Sequence, residues 1–192
     1  MQLNREQLME AVKAEMPERR WIHTLGVMET AVKLAERYGE DPARAELAAI
    51  LHDVAKYWPT DRMERVIREE QLPEELLQYD KELWHAPVGA VEAERTYGVT
   101  DQEVLDAVRY HTSGRAGMTK LERIVCLADY MEPGRDFPGV DTIRELSVKS
   151  LDKALIAGLD STITFLIAKG KRIFPLTMQA RNDLIERSKT ID

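Results

Sequence analysis

The sequence has little of what secreted or membrane-bound proteins need. It contains one cysteine, Cys126, in 192 residues, so no disulfide can form within the chain; this excludes a disulfide scaffold and fits a reducing compartment. No apolar run reaches the roughly 18 residues that a membrane span requires, and the N-terminal segment lacks the uninterrupted apolar core of a signal peptide. Runs of alternating β-branched residues, typical of strands, are absent as well. We therefore expect a helical, cytoplasmic protein without a membrane anchor.

A surplus of basic residues is also missing. The chain has 34 acidic and 27 basic residues, a formal net charge of −7 and an isoelectric point near 5.3. Proteins that bind nucleic-acid polymers usually carry the opposite balance, so the composition argues against such a partner. A small anionic substrate is compatible with it, because a local basic pocket can lie in an acidic protein.

Apolar residues recur at helical spacing along nearly the whole chain. Its length is typical of a single domain, and a chain of this size buries about 70% of its unfolded surface. We predict an all-α domain of roughly eight to ten helices. The two segments expected to be loops are residues 112–118, rich in Gly and Ser, and residues 132–140.

Capping signals place several helix boundaries. Residues 18–38 form a predicted helix that Gly39 ends, and Asp41-Pro42 marks the start of the next, which is expected to run past residue 54 to Pro59. Thr100 and Thr119 each precede a glutamate by three residues, the pattern of a capping box. A long helix over residues 148–169 and a last one over 177–189 complete the prediction.

The pair His52-Asp53 lies in the apolar run AELAAILHDVAKYW, in the middle of a predicted buried helix. Burying two adjacent ionisable residues costs several kcal/mol, roughly, unless they have partners. For an isolated pair, the simplest interpretation is a core histidine that is hydrogen-bonded to its neighbour.

Other potential ligands make a metal site the alternative. His23 lies in the preceding long helix, Asp129 in the apolar run IVCLADYM, and His85 and His111 at the ends of two further helices. Nitrogen and oxygen donors suit Mg, Mn, Fe, Zn or Ni. Because adjacent helical residues point about 100° apart, His52 and Asp53 need ligands from other helices to complete a coordination shell, and His23 and Asp129 are the candidates.

The order of His23, His52-Asp53 and Asp129 resembles the signature of the HD-domain metal-dependent phosphohydrolases. The strings HDVAK, WHAPVGA, YHTSGR, ADYMEPGR and IFPLTMQARN further resemble the YqeK family of bacterial symmetrical diadenosine tetraphosphate hydrolases. The resemblance extends from His23 to Asn182. It implies a single HD domain over residues 1–192, with a metal-site core at about 18–135 and C-terminal helices over 140–192 that pack on it.

The resemblance also implies a two-metal site, with iron as the expected metal and Mn, Mg, Co or Ni as alternatives. His23, His52, Asp53 and Asp129 would hold one metal. His85 and His111 would hold the second, with Asp53 bridging the two. Such a site clamps a phosphoryl group and generates hydroxide at neutral pH, so the implied reaction splits the tetraphosphate in its middle into two ADP without a serine or cysteine nucleophile.

Several residues are candidates for contacts with the substrate phosphates. Lys56 and Arg135 are expected to act beside Asp53 in catalysis, Lys56 from the same helix face and Arg135 from the Pro-Gly loop after Asp129. The competing interpretation of each residue is plain solvent exposure. The remaining substrate-binding candidates are Arg20, His111, Thr112 and Gly114.

Two other functions are compatible with the same ligand set. One is an HD phosphohydrolase that acts on a nucleoside mono- or triphosphate or on a cyclic nucleotide, because the metals contact only phosphate. The other is a non-catalytic HD module that binds a nucleotide without turnover. All three functions imply a small-molecule nucleotide partner, and a homodimer is compatible with each.

Overall fold

The computed structural model describes residues 4–189, which form ten α-helices and no strand. The prediction of an all-α fold with eight to ten helices is confirmed for these residues. The helices are α1 Arg5–Ala14, α2 Glu18–Tyr38, α3 Pro42–Leu51, α4 Thr60–Glu69, α5 His85–Arg95, α6 Gln102–Tyr110, α7 Lys120–Met131, α8 Val140–Ser147, α9 Leu151–Ala168 and α10 Pro175–Lys189. Two short 3₁₀ segments, Glu74–Gln78 and Lys81–Leu83, lie between α4 and α5.

Most of the predicted capping signals act as expected. Gly39 ends α2 in the left-handed conformation, at φ 68°, which costs glycine little because it has no Cβ. Asp41 caps α3 by accepting from the backbone of Ala43, and Thr119 forms a complete capping box with Glu122 at the start of α7. These local bonds satisfy amides that the helix itself cannot satisfy.

Three predicted boundaries are wrong. Asp101, not Thr100, caps α6, because its carboxylate accepts from two backbone amides of the first turn. The long helix predicted over 148–169 is α9, which begins only at Leu151, since the Ser150 side chain caps it by accepting from the Lys153 amide; α8, just before it, has no counterpart in the prediction. The last helix begins at Pro175, two residues before the predicted start.

The helix that carries His52-Asp53 is also shorter than predicted. α3 ends at Leu51, so the pair lies at the end of the helix and not in its middle. Successive tight turns follow, in which the amides of Val54 and Lys56 donate to the carbonyls of Leu51 and Asp53. Since such i to i−3 bonds tighten the backbone, Lys56 does not share a regular helix face with His52 and Asp53.

The core is built around α7, which packs against α2, α3, α6, α8 and α9. Every residue of α7 from Leu121 to Ala128 is buried except Arg123. The C-terminal half of the fold adds α8 and α10, which both pack on α9. No helix within residues 4–189 is long and apolar enough to cross a membrane. The extent of one HD domain stays a prediction, and its residues 1–3 and 190–192 lie outside the described part of the chain.

Candidate metal centre

Four predicted ligands meet where α2, α7 and the end of α3 come together. His23 Nε2 lies 3.0 Å from Asp129 Oδ1 and 3.7 Å from Asp53 Oδ2. His52 Nε2 lies 2.8 Å from the same Asp53 oxygen. Donor atoms of His23, His52 and Asp129 all lie within 4.8 Å of one another. The structure therefore brings together the four residues that sequence reasoning assigned to one metal.

Hydrogen bonds on the far side of each ring fix the direction in which the histidines point. His52 Nδ1 lies 2.6 Å from the Ala49 carbonyl oxygen, and His111 Nδ1 lies 2.8 Å from that of Val108. A carbonyl can only accept, so both rings carry their proton on Nδ1. This tautomer leaves the Nε2 lone pair directed into the cluster, as metal-ligating histidines require.

The cluster has polar atoms that nothing in the described chain satisfies. His23 Nε2, His52 Nε2 and Asp53 Oδ1 are buried without a hydrogen-bond partner. Buried polar atoms are almost always paired, because an unpaired one loses its interaction with water. Neutral imidazole nitrogens and carboxylate oxygens are the ligand atoms that a divalent cation binds. The residues present thus fit a metal ion.

His85 and His111 lie on the opposite side of Asp53. Their Nε2 atoms lie 3.1 Å and 3.8 Å from Asp53 Oδ1, and 3.1 Å from each other. The Thr112 hydroxyl lies 3.0 Å from His111 Nε2. His52, Asp53 and His111 also form a group whose donor atoms lie within 4.8 Å of one another. One carboxylate oxygen therefore faces each set of histidines, which is the arrangement that a bridging carboxylate needs.

The electrostatics of the cluster favour the ligand forms of most of these groups. Burial acts to raise the pKa of Asp53, but the imidazoles of His52 and His85 hold it well below its usual range. Burial likewise acts on Asp129, whose pKa is held low by His23 and Arg135. Burial lowers the pKa of His85 and, more strongly, of His111. These two histidines are therefore neutral, and the carboxylates are ionised.

His52 differs from these two histidines. Burial acts to lower its pKa, but the adjacent Asp53 outweighs that effect and raises it. A proton and a metal ion compete for the same Nε2 lone pair, so lowering the pH disfavours metal binding at this histidine.

The predicted cations surround the cluster in different ways. Arg20 donates from Nε to Asp53 Oδ2 at 2.5 Å. Arg135 donates from Nε to the Asp129 backbone carbonyl at 2.7 Å, and its guanidinium also bonds the Asp129 carboxylate. Lys56 forms an ion pair with Glu82 at 2.6 Å. All three cations are therefore paired. Plain solvent exposure, the competing interpretation for Lys56 and Arg135, does not describe either side chain.

A cavity of about 1020 Å³ opens beside the cluster. His111, Thr112, Asp129, Arg135 and Lys56 all contribute to its walls. Gly114, predicted to bind substrate, does not line it. An added Cβ at that glycine would lie 2.8 Å from Ala180 Cβ, at φ +64°, so close packing against α10 and a left-handed turn account for Gly114.

Glu132 is a site residue that sequence reasoning missed. Its Oε1 lies 3.0 Å from His23 Nδ1, and its Oε2 accepts from the Gly134 amide at 2.6 Å. The side chain is 5% exposed. Glu132 follows Asp129 by three residues, which places both on one side of the end of α7. This spacing in the string ADYMEPGR is the signal that could have identified the glutamate.

Cys126 is buried in α7, and burial raises the pKa of its thiol. A protonated thiol in an apolar core is a poor nucleophile. The structure thus agrees with the sequence-based view that Cys126 has no role in the chemistry.

Comparisons with known proteins agree with this geometry. The model of the HD domain family matches residues 20–134. A Bacillus subtilis protein named "Bis(5'-nucleosyl)-tetraphosphatase, symmetrical" is 50% identical over 97% of this chain and 100% of its own length. A protein of the same name from Halalkalibacterium halodurans is 45% identical, again over 97% of this chain and 100% of its own.

A solved structure shares the fold as well. It is a protein from Clostridium acetobutylicum, described as a predicted HD superfamily hydrolase involved in NAD metabolism. The two chains are 38% identical and superpose with a TM-score of 0.93, over 97% of this chain and 100% of the other.

Proposed function

The chain belongs to the HD domain family, and we propose that it is a metal-dependent hydrolase that cleaves diadenosine tetraphosphate symmetrically into two ADP. The observation that carries the proposal is the buried cluster of unpartnered imidazole nitrogens and one carboxylate oxygen beside a large cavity whose walls include Lys56 and Arg135. The two relatives named for this activity match the chain over nearly its whole length, which supports the choice of substrate. The cytoplasmic location and the homodimer stay predictions.

We propose that His23, His52, Asp53 and Asp129 hold one metal, and that His85 and His111 hold a second with Asp53 as the bridge. Iron is the metal that we expect, and manganese has the same preference for these donors. When bound, divalent metals supply Lewis acidity and make water a nucleophile at neutral pH. The chain's own contribution is to fix the ligand atoms and to position the phosphates.

The cations and hydroxyl at the cavity are the groups that would position the substrate. Lys56 can exchange its exposed Glu82 partner for a phosphate oxygen. Arg135 already lies against the Asp129 carboxylate, where it can bind phosphate oxygens beside the reacting centre. Arg20 binds the Asp53 carboxylate but does not line the cavity. The Thr112 hydroxyl can donate to the same group. A planar guanidinium binds two phosphate oxygens at once, while lysine acts as a point charge.

The direct test pairs metal analysis with product identification. Purified protein should contain a divalent metal and convert diadenosine tetraphosphate into ADP alone. Asymmetric cleavage, which yields ATP and AMP, would contradict the proposed reaction. A metal-loaded protein that turns over only mononucleotides or cyclic nucleotides, or none, would favour one of the two other HD functions.

At saturating metal, Lys56→Ala and Arg135→Ala should each weaken substrate binding while the metal stays bound. A hydrogen bond to a charged group contributes about 1.5–3 kcal/mol, so we expect kcat/KM to fall roughly 10- to 100-fold. Steady-state kinetics and metal content measure the two effects. Lys33→Ala is the control, because Lys33 is an exposed residue on α2 paired only with Glu29 in the described chain. Loss of metal from either cavity variant would contradict the proposed role.

His85→Ala and His111→Ala test the second metal. If both histidines are ligands, the metal content of each variant should fall from two equivalents per chain to one, and the remaining metal should keep the affinity of the His23 site. Equilibrium dialysis followed by elemental analysis measures this. One equivalent in the wild-type protein, unchanged in both variants, would overturn the dinuclear assignment and place these histidines on the substrate phosphate.

A further inference from the structure

The cavity extends well beyond the metal centre, into a groove between residues 137–143 and helix α9. We call this groove the α9 arm. Residues one helical turn apart on α9, Ala157, Ser161, Phe165 and Ala168, form one wall, and Phe137 lies on the other. The arm therefore combines aromatic and small apolar surfaces with several hydroxyl groups and with the Asp160 carboxylate, which Arg181 binds.

The α9 arm is continuous with the metal centre. Asp129 and Arg135 line the same cavity as the arm. Arg135 connects the metal centre to the arm, because its guanidinium bonds Asp129 and Phe137, two residues later, lies in the arm. Lys56 and Glu82 mark a different part of the cavity wall, beside His85. A molecule that crosses the metal centre can thus extend past Arg135 on one side and past Lys56 on the other.

The proposed reaction requires two nucleoside sites. Cleavage of the central anhydride bond leaves an adenosine on each side of the reacting phosphate, separated from it by the rest of one ADP. A single ADP pocket would leave half of the substrate unbound. The cavity volume of about 1020 Å³ lies at the upper limit for ligand sites, which span roughly 300–1000 Å³, as a two-nucleoside substrate needs.

Phe165 gives the arm its chemical character. It is 55% exposed, although a large apolar side chain gains most from burial. Adenine has two flat faces that stack on aromatic rings, and such stacking is a common way of binding a base without reading its sequence. The Ser161 hydroxyl, on the same face of α9, can donate to or accept from the base or the ribose.

Resting on the proposed function, we propose that the α9 arm binds one of the two adenosines, the one on the Asp129 side, and that Phe165 stacks on its base. The arm then selects substrates that carry a second nucleoside. It is distinct from the metal ligands, so it can be altered without touching them.

The test compares two substrates, diadenosine tetraphosphate and adenosine 5′-tetraphosphate, which has only one nucleoside. Phe165→Ala removes the stacking surface, and Ser161→Leu narrows the arm without adding an aromatic ring. Ile167→Ala is the matched control, because Ile167 is also an exposed apolar residue of α9 but does not line the cavity. Metal content is measured for every variant.

We expect Phe165→Ala to raise the KM for diadenosine tetraphosphate about tenfold, the order of effect of losing one base–aromatic stack. The KM for adenosine 5′-tetraphosphate should rise at most about twofold, because its single nucleoside can bind in either of two orientations. Ser161→Leu should act in the same direction, and Ile167→Ala should change neither value.

Three results would overturn the inference. If both arm variants kept the wild-type KM for diadenosine tetraphosphate, the arm would be excluded as a binding site. An equal loss on both substrates would indicate a disturbed metal centre instead. In both cases the wild-type protein still produces ADP, so the proposed function survives; a wild-type protein that hydrolyses neither substrate would refute the function and the arm together.

Discussion

Replacing Asp53 with alanine should abolish activity and remove the bound metal. Asp53 Oδ2 lies 2.8 Å from His52 Nε2, and Oδ1 lies 3.1 Å from His85 Nε2. Among residues 4–189, the variant loses the one carboxylate that lies against both sets of histidines. Since bound metal lowers the reaction barrier by several kcal/mol, turnover of diadenosine tetraphosphate should fall at least about a thousandfold without it. Product analysis for ADP and elemental analysis for metal measure the two losses.

A loss of folding must be separated from a loss of chemistry. Asp53 is buried against Arg20 and several imidazoles, and removing one partner of a buried ion pair costs about 3–5 kcal/mol. Asp53→Asn keeps the shape and hydrogen-bonding capacity of the side chain but removes its charge, so it should stay folded in a thermal melt while losing metal. Asp136→Ala, at an exposed position of the loop after α7, is the control.

One outcome would refute the assignment of the centre. If Asp53→Ala or Asp53→Asn retained near wild-type turnover and metal content, Asp53 could be neither the bridge nor a ligand. The remaining donors would then have to bind metal through His23, His52 and Asp129 alone, and the role of the HD pair in this chain would need another explanation.

The sequence predicted which residues come together better than it predicted the backbone that presents them. His23, His52, Asp53 and Asp129 could be found because unpartnered ionisable residues in apolar helices are costly, and because their order matches a family signature. The end of α3 at Leu51 could not be found, since the apolar run continues through Val54. Tight turns, and not a regular helix, present the two side chains of the HD pair to the centre.

Two other differences have equally local causes. Thr100 and Asp101 are adjacent capping residues, and the choice between them depends on Arg44, which binds the Asp101 carboxylate and also Glu103 from another helix. The start of α9 at Leu151, and not at residue 148, depends on the Ser150 cap. Neither a long-range ion pair nor a single serine stands out in a pattern of apolar periodicity.

The α9 arm was beyond sequence analysis for a different reason. Phe137 and Phe165 are separated by 27 intervening positions, and neither belongs to a recognisable motif. Only the packing of α8 on α9 brings the two segments to the same groove. Substrate selection is thus encoded in the tertiary arrangement, whereas the metal chemistry is encoded in single residues.

Glu132→Gln should weaken metal binding without changing the ligands themselves. The Glu132 carboxylate orients His23 through Nδ1, 3.0 Å away, and is itself held by the Gly134 amide. Glutamine removes the charge, and its amide group must place a donor against either His23 Nδ1–H or the Gly134 N–H. Partners that orient metal ligands typically change metal affinity 10- to 100-fold, and we expect a loss of about this size in a metal titration, with kcat restored at saturating metal.

A substitution on a different helix should reproduce this effect. Gly26 lies one turn after His23, and a Cβ added there would lie 2.5 Å from Glu132 Oε2. Gly26→Ala must therefore displace the carboxylate and tilt His23, although alanine itself favours the helix by up to about 1 kcal/mol. Glu36→Gln, an exposed change on α2, is the control. If Glu132→Gln and Gly26→Ala both bound metal as tightly as the wild type, Glu132 would have only a structural role at the end of α7, and His23 would be oriented by its helix alone.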